Sequence, residues 1–383
     1  MIGGAPRVLI LTASYGAGHN AVAAALEAAL RAVGARTRVV DHFRELVHPR
    51  FDRWTRRLYS AVLCGAPALW SLAYWLGDRM AASSPLAFDV PRLGRTKLAR
   101  LLDAEQPDCV VCTHPTPAGA LADLRARGRR VPPFAVVFSD FAAHRQWIAP
   151  AADAHYVPAA AIARGVVARG APESSVVVTG IPVRAEFAEP LDRAAARASL
   201  GLDPKIPVVL AMAGASGRVG RLTAATRVLR ELPVPSQAVI VTGLDAALAA
   251  RLRRSVGGDP RIRVVGYADN VRQLMAAADV LVTKAGGVSL AEALAAELPI
   301  VCFGSLPGHE ARNERFVVEC GAALAARSPG ELGRTLRSAL GNPDLFARLR
   351  EGIRAVRRPH AARDVADHLL RLAAGARATA SAA

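Results

Sequence analysis

The chain has 383 residues, 52% apolar and 21% charged, which excludes a disordered polar chain and leaves room for two domains with buried cores. Its formal charge of +17 directs attention to anionic partners: nucleic acid, anionic lipid or a phosphorylated small molecule. Five cysteines in a chain this long exclude a disulfide scaffold.

Residues 8–13 form a short apolar run that predicts a strand. The turn Ser14-Tyr15-Gly16-Ala17-Gly18-His19 leads into an Ala/Leu-rich helix over 20–33, stopped by Gly34, and 38–41 is a second strand. Strand, glycine turn, helix and strand open a doubly wound α/β domain. Further strands are predicted at 108–113, 134–138 and 176–179, with helices at 117–127 and 159–169 between them. Cys109 and Cys112 have CxxC spacing, but residues three apart on a strand face opposite sides, so they read as buried thiols and not as metal ligands. The opening Met1-Ile2-Gly3-Gly4 has neither a basic n-region nor an apolar h-region, so a cytoplasmic location is expected.

One segment departs from the α/β pattern. Residues 58–77 carry no charge, which is a spanning length, but Gly65-Ala66-Pro67 interrupts them. Trp54, Trp70 and Trp75 fall in or beside the segment, and Arg50, Arg53, Arg56 and Arg57 precede it. Aromatics beside arginines are the composition of an interfacial element. Three readings stay open: an interfacial or acceptor-binding segment, a buried helix pair, or a spanning helix.

Near residue 181 a polar, proline-punctuated stretch begins, and a second α/β series follows. Its strands are predicted at 207–213, 237–242, 262–265, 279–283 and 299–303, with helices at 220–231, 245–255, 270–277 and 288–296. The domains are therefore expected at 1–185 and 200–355. A last helical pattern at 361–374 is a separate element, expected to cross back to the first domain. Two such domains form a natural cleft, with ligands beyond the carboxyl ends of the strands.

The chemistry-bearing motifs sit at those strand ends. His19 follows a glycine turn that lets backbone approach a ligand and opens a helix N-terminus to an anion, and an imidazole there is able to take a proton near pH 7. Neither the dinucleotide glycine fingerprint nor a Walker A lysine is present. Asp140, His144 and Trp147 lie on the loop after 134–138, a candidate acid–base pair beside a stacking platform, and Thr113-His114-Pro115 ends a strand on the same edge, where the histidine reads as a turn residue. In the second domain Gly214-Ala215-Ser216-Gly217 follows a strand and fits phosphate oxygens. Thr283-Lys284-Ala285-Gly286-Gly287-Val288-Ser289 ends another strand, turns on two glycines and starts a helix. Lys284 is one of only three lysines, with Lys97 and Lys205. Glu292, just into that helix, is able to accept both hydroxyls of a ribose or to serve as a capping carboxylate. Pro307-Gly308-His309-Glu310-Ala311-Arg312-Asn313 crowds polar groups at a loop-to-helix junction suited to sugar hydroxyls.

Five stretches together carry a resemblance: LTASYGAGHN at 11–20, VFSDFAAHRQW at 137–147, VTGIPVRAEF at 178–187, TKAGGVSLAEA at 283–293 and PGHEARN at 307–313. The chain resembles the glycolipid synthase family of monogalactosyldiacylglycerol synthases and processive diacylglycerol glucosyltransferases. More distantly it is similar to the peptidoglycan N-acetylglucosaminyltransferase that works on lipid-linked muramyl-pentapeptide. The resemblance implies two Rossmann-like domains facing across a cleft, the glycosyltransferase-B fold. It also implies inverting, metal-independent transfer from a UDP-sugar, and no Asp-x-Asp motif is present. By matching position, Gly266 and Tyr267 would lie at the uracil and Glu292 at the ribose. Gly214, Ser216, Gly217, Lys284, Gly286, Gly287 and Ser289 would face the diphosphate, and His309, Glu310 and Asn313 the sugar. The family usually has Pro at 285 and Gln at 309, so His309 leaves the hexose open. His19 matches the family histidine beside the reacting centre, and Asp41 is a second candidate base. Gly16, Gly18, Asp140, His144 and Trp147 would line the acceptor side, and Trp54, Arg56, Arg57, Trp70 and Trp75 would meet an anionic membrane surface. The expected partners are a UDP-hexose, a lipid acceptor and the inner face of the cell membrane, with no cofactor, no metal and no nucleic acid. Alternatives are a transferase with a non-lipid acceptor, a UDP-sugar epimerase on the same scaffold, and a non-catalytic UDP-sugar sensor.

Overall fold

A computed structural model describes residues 5–79, 93–214 and 221–382. The chain divides into two compact units, one of Met1–Ala185 with His360–Ala383 and one of Glu186–Pro359.

The first unit is built on a six-stranded parallel sheet in the order β2-β1-β3-β4-β5-β6. The strands are β1 (Arg7–Thr12), β2 (Arg36–Asp41), β3 (Cys109–Cys112), β4 (Phe134–Val137), β5 (Ala154–Val157) and β6 (Val176–Val178). The helices are α1 (Ala17–Ala32), α2 (Pro49–Gly65), α3 (Pro67–Arg79), α4 (Arg95–Glu105), α5 (Pro115–Ala126) and α6 (Ala160–Val167). Central strands read as unbroken apolar runs because helices cover both faces of a parallel sheet. In register, Ile10 of β1 pairs with Val39 on one side and Val111 on the other, and Ile10 and Val111 are fully buried. Cys109 and Cys112 are buried within β3. A π-helical turn, His42–Val47, leads from β2 towards α2.

The second unit repeats the plan, with sheet order β12-β11-β10-β7-β8-β9. Its elements run α7 (Arg193–Ser199), β7 (Val208–Met212), α8 (Leu222–Glu231), β8 (Gln237–Val241), α9 (Ala246–Val256), β9 (Ile262–Val265) and α10 (Val271–Ala277), then β10 (Val280–Thr283), α11 (Gly287–Ala295), β11 (Ile300–Phe303), α12 (His309–Glu319), β12 (Ala323–Ala326), α13 (Pro329–Leu340) and α14 (Pro343–Val356). The closing helix α15 (Ala361–Ala382) packs on α1 and β3, burying Ala361, Val365 and Leu369, and His368 meets the Tyr156 hydroxyl at 2.9 Å.

In each sheet the strand order reverses once, between β1 and β3 and between β7 and β10. Open α/β sheets bind ligands at such switch points, beyond the carboxyl ends of the strands. There the chain carries the Ser14–His19 turn and Thr113-His114 in one unit, and Gly214 and Lys284 in the other.

Candidate active site

In the first unit the ends of β1, β3 and β4 converge on His19. Gly16 caps α1 with extended backbone and no side-chain bond to the helix amides, so the first-turn amides, Gly18 among them, point outward, the geometry that accepts an anion. Nδ1 of His19 lies 2.9 Å from the carbonyl oxygen of Thr113 and 3.2 Å from the Ser139 hydroxyl. A carbonyl only accepts, so Nδ1 holds the proton and the basic lone pair is on Nε2, assigned from the hydrogen-bond network. The imidazole is packed edge-on against His114 at 4.9 Å and lies 5.7 Å from Trp147, which stacks on Phe138 at 5.2 Å. His114 is half-buried. Burial, then the neighbouring His19 and His42, hold it neutral well below the usual imidazole range. Its Nδ1 accepts from the Thr116 amide, so it caps α5, as a turn residue does.

Two candidate residues on this edge carry structural bonds. The Asp41 carboxylate is committed as a brace: one oxygen accepts from the Ser14 amide at 3.0 Å and the Ser14 hydroxyl at 2.5 Å, the other from the Arg44 amide at 3.0 Å. Ser14 in turn accepts from Asn20. Asp41 therefore holds the turn that carries His19. His144 is 1% exposed, with Nε2 donating to the Tyr74 carbonyl at 3.0 Å and Nδ1 accepting from the Gln146 amide at 3.2 Å. Both nitrogens are engaged, so it fastens α3 to the loop. Asp140, on the same loop, is half-buried.

The uncharged segment 58–77 is divided between α2 and α3, and among the described residues no helix is long and apolar enough to cross a membrane. The spanning reading is dropped, because Pro67 starts a new helix where a spanning helix would need to continue. The pair is not simply buried either. Trp54 is 62% exposed and Trp75 45%, with Leu58, Leu69, Leu72 and Leu76 exposed beside them. Helical spacing places Trp54 with Leu58, and Leu69 with Leu72 and Leu76, on shared faces. Arg50, Arg53, Arg57 and Arg79 are exposed, and the Arg79 guanidinium covers the Trp75 ring at 3.6 Å. Two further residues of the expected surface are half-buried, with partners on these helices. Trp70 packs against Tyr59 at 5.0 Å, and Arg56 pairs with buried Asp52 at 2.9 Å.

In the second unit the ends of β7, β10 and β11 enclose a hollow lined by Met212, Ala213, Arg221, Thr283, Lys284 and Phe303. Gly214 takes a positive φ of 74°, and a side chain there would meet Lys284; Ser216 and Gly217 lie outside the described residues. Gly286 caps α11 without a side-chain bond, with Gly287, Val288 and Ser289 in its first turn, a second outward-facing set of amides. Candidate residues here are bonded to one another as well. Lys284 is ion-paired with Glu310, whose other oxygen accepts from the Leu306 amide at 2.8 Å, and Glu310 is 2% exposed. Asn313 is fully buried and donates to the Ala285 carbonyl at 3.0 Å. Glu310 and Asn313 thus brace the 284–287 turn. His309 opens α12 in a half-buried position, Glu292 is half-buried on α11, and Tyr267 beside Gly266 is 55% exposed. The sequence reading missed Arg221, whose stem packs on Gly304 and whose head lies 5.8 Å over Phe303 and donates to the Arg327 carbonyl. Lys284 is paired with Glu310, so among the described residues lining this hollow Arg221 is the cation without a carboxylate partner in the ion pairs seen. An isolated arginine after a glycine-rich run gave no signal of that.

Comparison with known proteins follows this division. The family model described as monogalactosyldiacylglycerol (MGDG) synthase matches residues 19–183, and that described as glycosyl transferases group 1 matches 207–342. A processive diacylglycerol beta-glucosyltransferase of Bacillus mycoides (strain KBAB4) is 30% identical over 368 residues, covering 95% of this chain and 93% of that protein. Its namesake from Bacillus cereus (strain AH187) is also 30% identical, over 367 residues with the same coverage. Among solved structures, Acinetobacter baumannii MurG aligns with a TM-score of 0.65 at 17% identity, covering 96% of this chain and 99% of that one. The S. aureus MnaA–UDP co-structure aligns with a TM-score of 0.63 at 14% identity, covering 96% and 97%. These likenesses establish the glycosyltransferase-B architecture. With its coverage of both relatives, the chain belongs to the family of monogalactosyldiacylglycerol synthases and processive diacylglycerol glucosyltransferases, the glycolipid-forming glycosyltransferases.

Proposed function

We propose that this enzyme moves a hexose from a UDP-sugar to the hydroxyl of diacylglycerol or a similar membrane lipid, with inversion at the anomeric carbon and without a metal. The observation that carries the reading is the bond from His19 Nδ1 to the Thr113 carbonyl, which leaves the basic lone pair on Nε2. The acceptor oxygen forms a bond to the anomeric carbon as its proton passes to Nε2. The bond from that carbon to the diphosphate oxygen breaks on the opposite face, and UDP leaves with the electron pair. The charge developing on the diphosphate meets the amides of the Gly286–Ser289 turn, the backbone at Gly214, and the Arg221 guanidinium. Glu292 accepts the ribose hydroxyls, the uracil lies against Gly266 and Tyr267, and His309 reads the sugar.

The exposed apolar and arginine-bearing faces of α2 and α3 dock on an anionic lipid surface, where the acceptor resides. This gives the enzyme a peripheral place on the inner face of the cell membrane. His19→Ala is expected to lower kcat by roughly 10²–10⁴-fold with UDP affinity unchanged. A loss under about tenfold would remove His19 from the role of base.

A further inference from the structure

The two helices that carry the exposed face are fastened, on their inner sides, to the two walls of His19. On α3, the Tyr74 carbonyl accepts from His144 Nε2 at 3.0 Å, and the two rings lie 4.2 Å apart. One turn on, Asp78 accepts from the Arg145 amide at 2.9 Å and takes Nε and a terminal nitrogen of Arg169, both at 3.1 Å. The Asp78 side chain is 9% exposed, and these donors hold its carboxyl far below the usual range. Between them Gly77 leaves room for the loop, since a Cβ there would come to 3.2 Å from the side-chain nitrogen Nε2 of Gln146. The clamped loop is the one that ends at Trp147, whose amide donates to the His144 carbonyl at 3.0 Å and whose ring lies against His19. On α2, the Thr55 hydroxyl is 2.5 Å from the hydroxyl of Tyr15, and Tyr15 belongs to the turn that opens into His19.

We propose that His144 and Asp78 are positioning residues that couple α3 to the ring stack of His19, so that seating the helix pair on a lipid surface and aligning His19 are one event. The proposal rests on the reading above, in which α2 and α3 meet the lipid surface and His19 is the base. Both residues act through Trp147 and touch no reacting atom. The clamp is stiff: Asp78 is a largely desolvated carboxylate with three donors, and the His144 ring is bonded on both edges. Displacement of α3 by the lipid surface is therefore passed to the 144–147 loop instead of being absorbed within it.

The test compares turnover on diacylglycerol in anionic vesicles with turnover on a short-chain diacylglycerol dissolved as monomers. The wild-type vesicle-to-soluble kcat ratio is expected to be about tenfold, since misplacement of a catalytic group by an ångström costs up to about 10²-fold. His144→Phe keeps a ring against Tyr74 but removes both nitrogen bonds. It is expected to bring that ratio to within about twofold of unity, with vesicle sedimentation and UDP affinity also within about twofold of wild type. His144→Gln, which restores an amide donor near the Nε2 position, is expected to regain much of the ratio. Tyr15→Phe cuts the α2 link without opening a cavity and is expected to lower the ratio as well. A wild-type ratio retained in both His144→Phe and Tyr15→Phe, or an equal fall of both rates, would overturn the proposal. Wild-type protein that sediments with vesicles yet shows a ratio of one overturns the coupling alone. Wild-type protein that does not sediment overturns the lipid-surface reading and the coupling with it.

Discussion

Replacing Trp54 and Trp75 together by Ser removes the largest apolar groups from the exposed face of α2 and α3. Their exposures of 62% and 45%, taken on roughly 250 Å² per tryptophan, leave about 155 and 110 Å² for a partner to cover. At about 25 cal/mol per Å² the pair is worth roughly 6–7 kcal/mol if wholly sunk in hydrocarbon. An interfacial helix lies at the headgroup boundary, so about half of that, near 3 kcal/mol, is the expected contribution to docking. The double variant should therefore partition onto anionic vesicles about 100-fold more weakly, at roughly 1.4 kcal/mol per tenfold. Sedimentation with vesicles of graded anionic content reads this directly. UDP affinity, measured by calorimetry, should not move, because the proposed donor residues belong to the other unit. Replacing Trp70 should not mimic the effect on partition, since that ring packs against Tyr59. Partition within about threefold of wild type for the double variant would refute the docking role, since it would mean under about 0.7 kcal/mol from two large exposed rings.

Glu292→Ala should weaken UDP binding by roughly 1.5–3 kcal/mol through loss of a charged acceptor for the ribose hydroxyls, and an unchanged dissociation constant would remove that role. His42 and His155 are buried and held neutral, with burial lowering each to about 4. The unfolded chain takes up these protons near pH 6.5, so stability is complete above that pH and is lost as pH falls from about 6.5 to about 4, by up to roughly 3 kcal/mol per histidine. Thermal midpoints that stay level from pH 7.5 to 5 would contradict this. In α14, a side chain on Gly352 would come within 2.4 Å of the Gly321 backbone. Gly352→Ala should then destabilise the second unit by about 1–3 kcal/mol, and an unshifted unfolding midpoint would show the contact to be slack.

Most strands were legible because a parallel sheet covered on both faces needs unbroken apolar runs, as at 208–212 and 280–283. Two strands were not. β5 is Ala-His-Tyr-Val, whose histidine reads as polar until Ser175 and the Ala149 amide are seen to bond it. β12 is Ala-Leu-Ala-Ala, a helix-favouring string made a strand only by pairing with β11. The site divided along similar lines. His19 was legible from the strand and glycine turn before it, since that local pattern presents the residue at a sheet's carboxyl edge. The partners that decide what a polar residue does lie far off in the chain. His144 is claimed by Tyr74, seventy positions away, and Lys284 by Glu310, twenty-six away, and no spacing rule reaches them. Trp54, Trp70 and Trp75 looked alike in composition. Only the phase of two separate helices sorts the exposed pair from the half-buried one. The charge of +17 likewise gains a place: part of it is the exposed arginines around α2 and α3, and another part is Arg221 in the hollow of the second unit.

The central claim is tested most directly by incubating the enzyme with vesicles containing diacylglycerol and, in turn, UDP-glucose, UDP-galactose and UDP-N-acetylglucosamine, then identifying the products by mass and by anomeric configuration. The account predicts release of UDP with one or more of these donors, matched by a glycolipid of inverted configuration, with activity retained in excess chelator. Absence of glycolipid with all three donors, or conversion of the sugar nucleotide to its epimer in place of transfer, would contradict it.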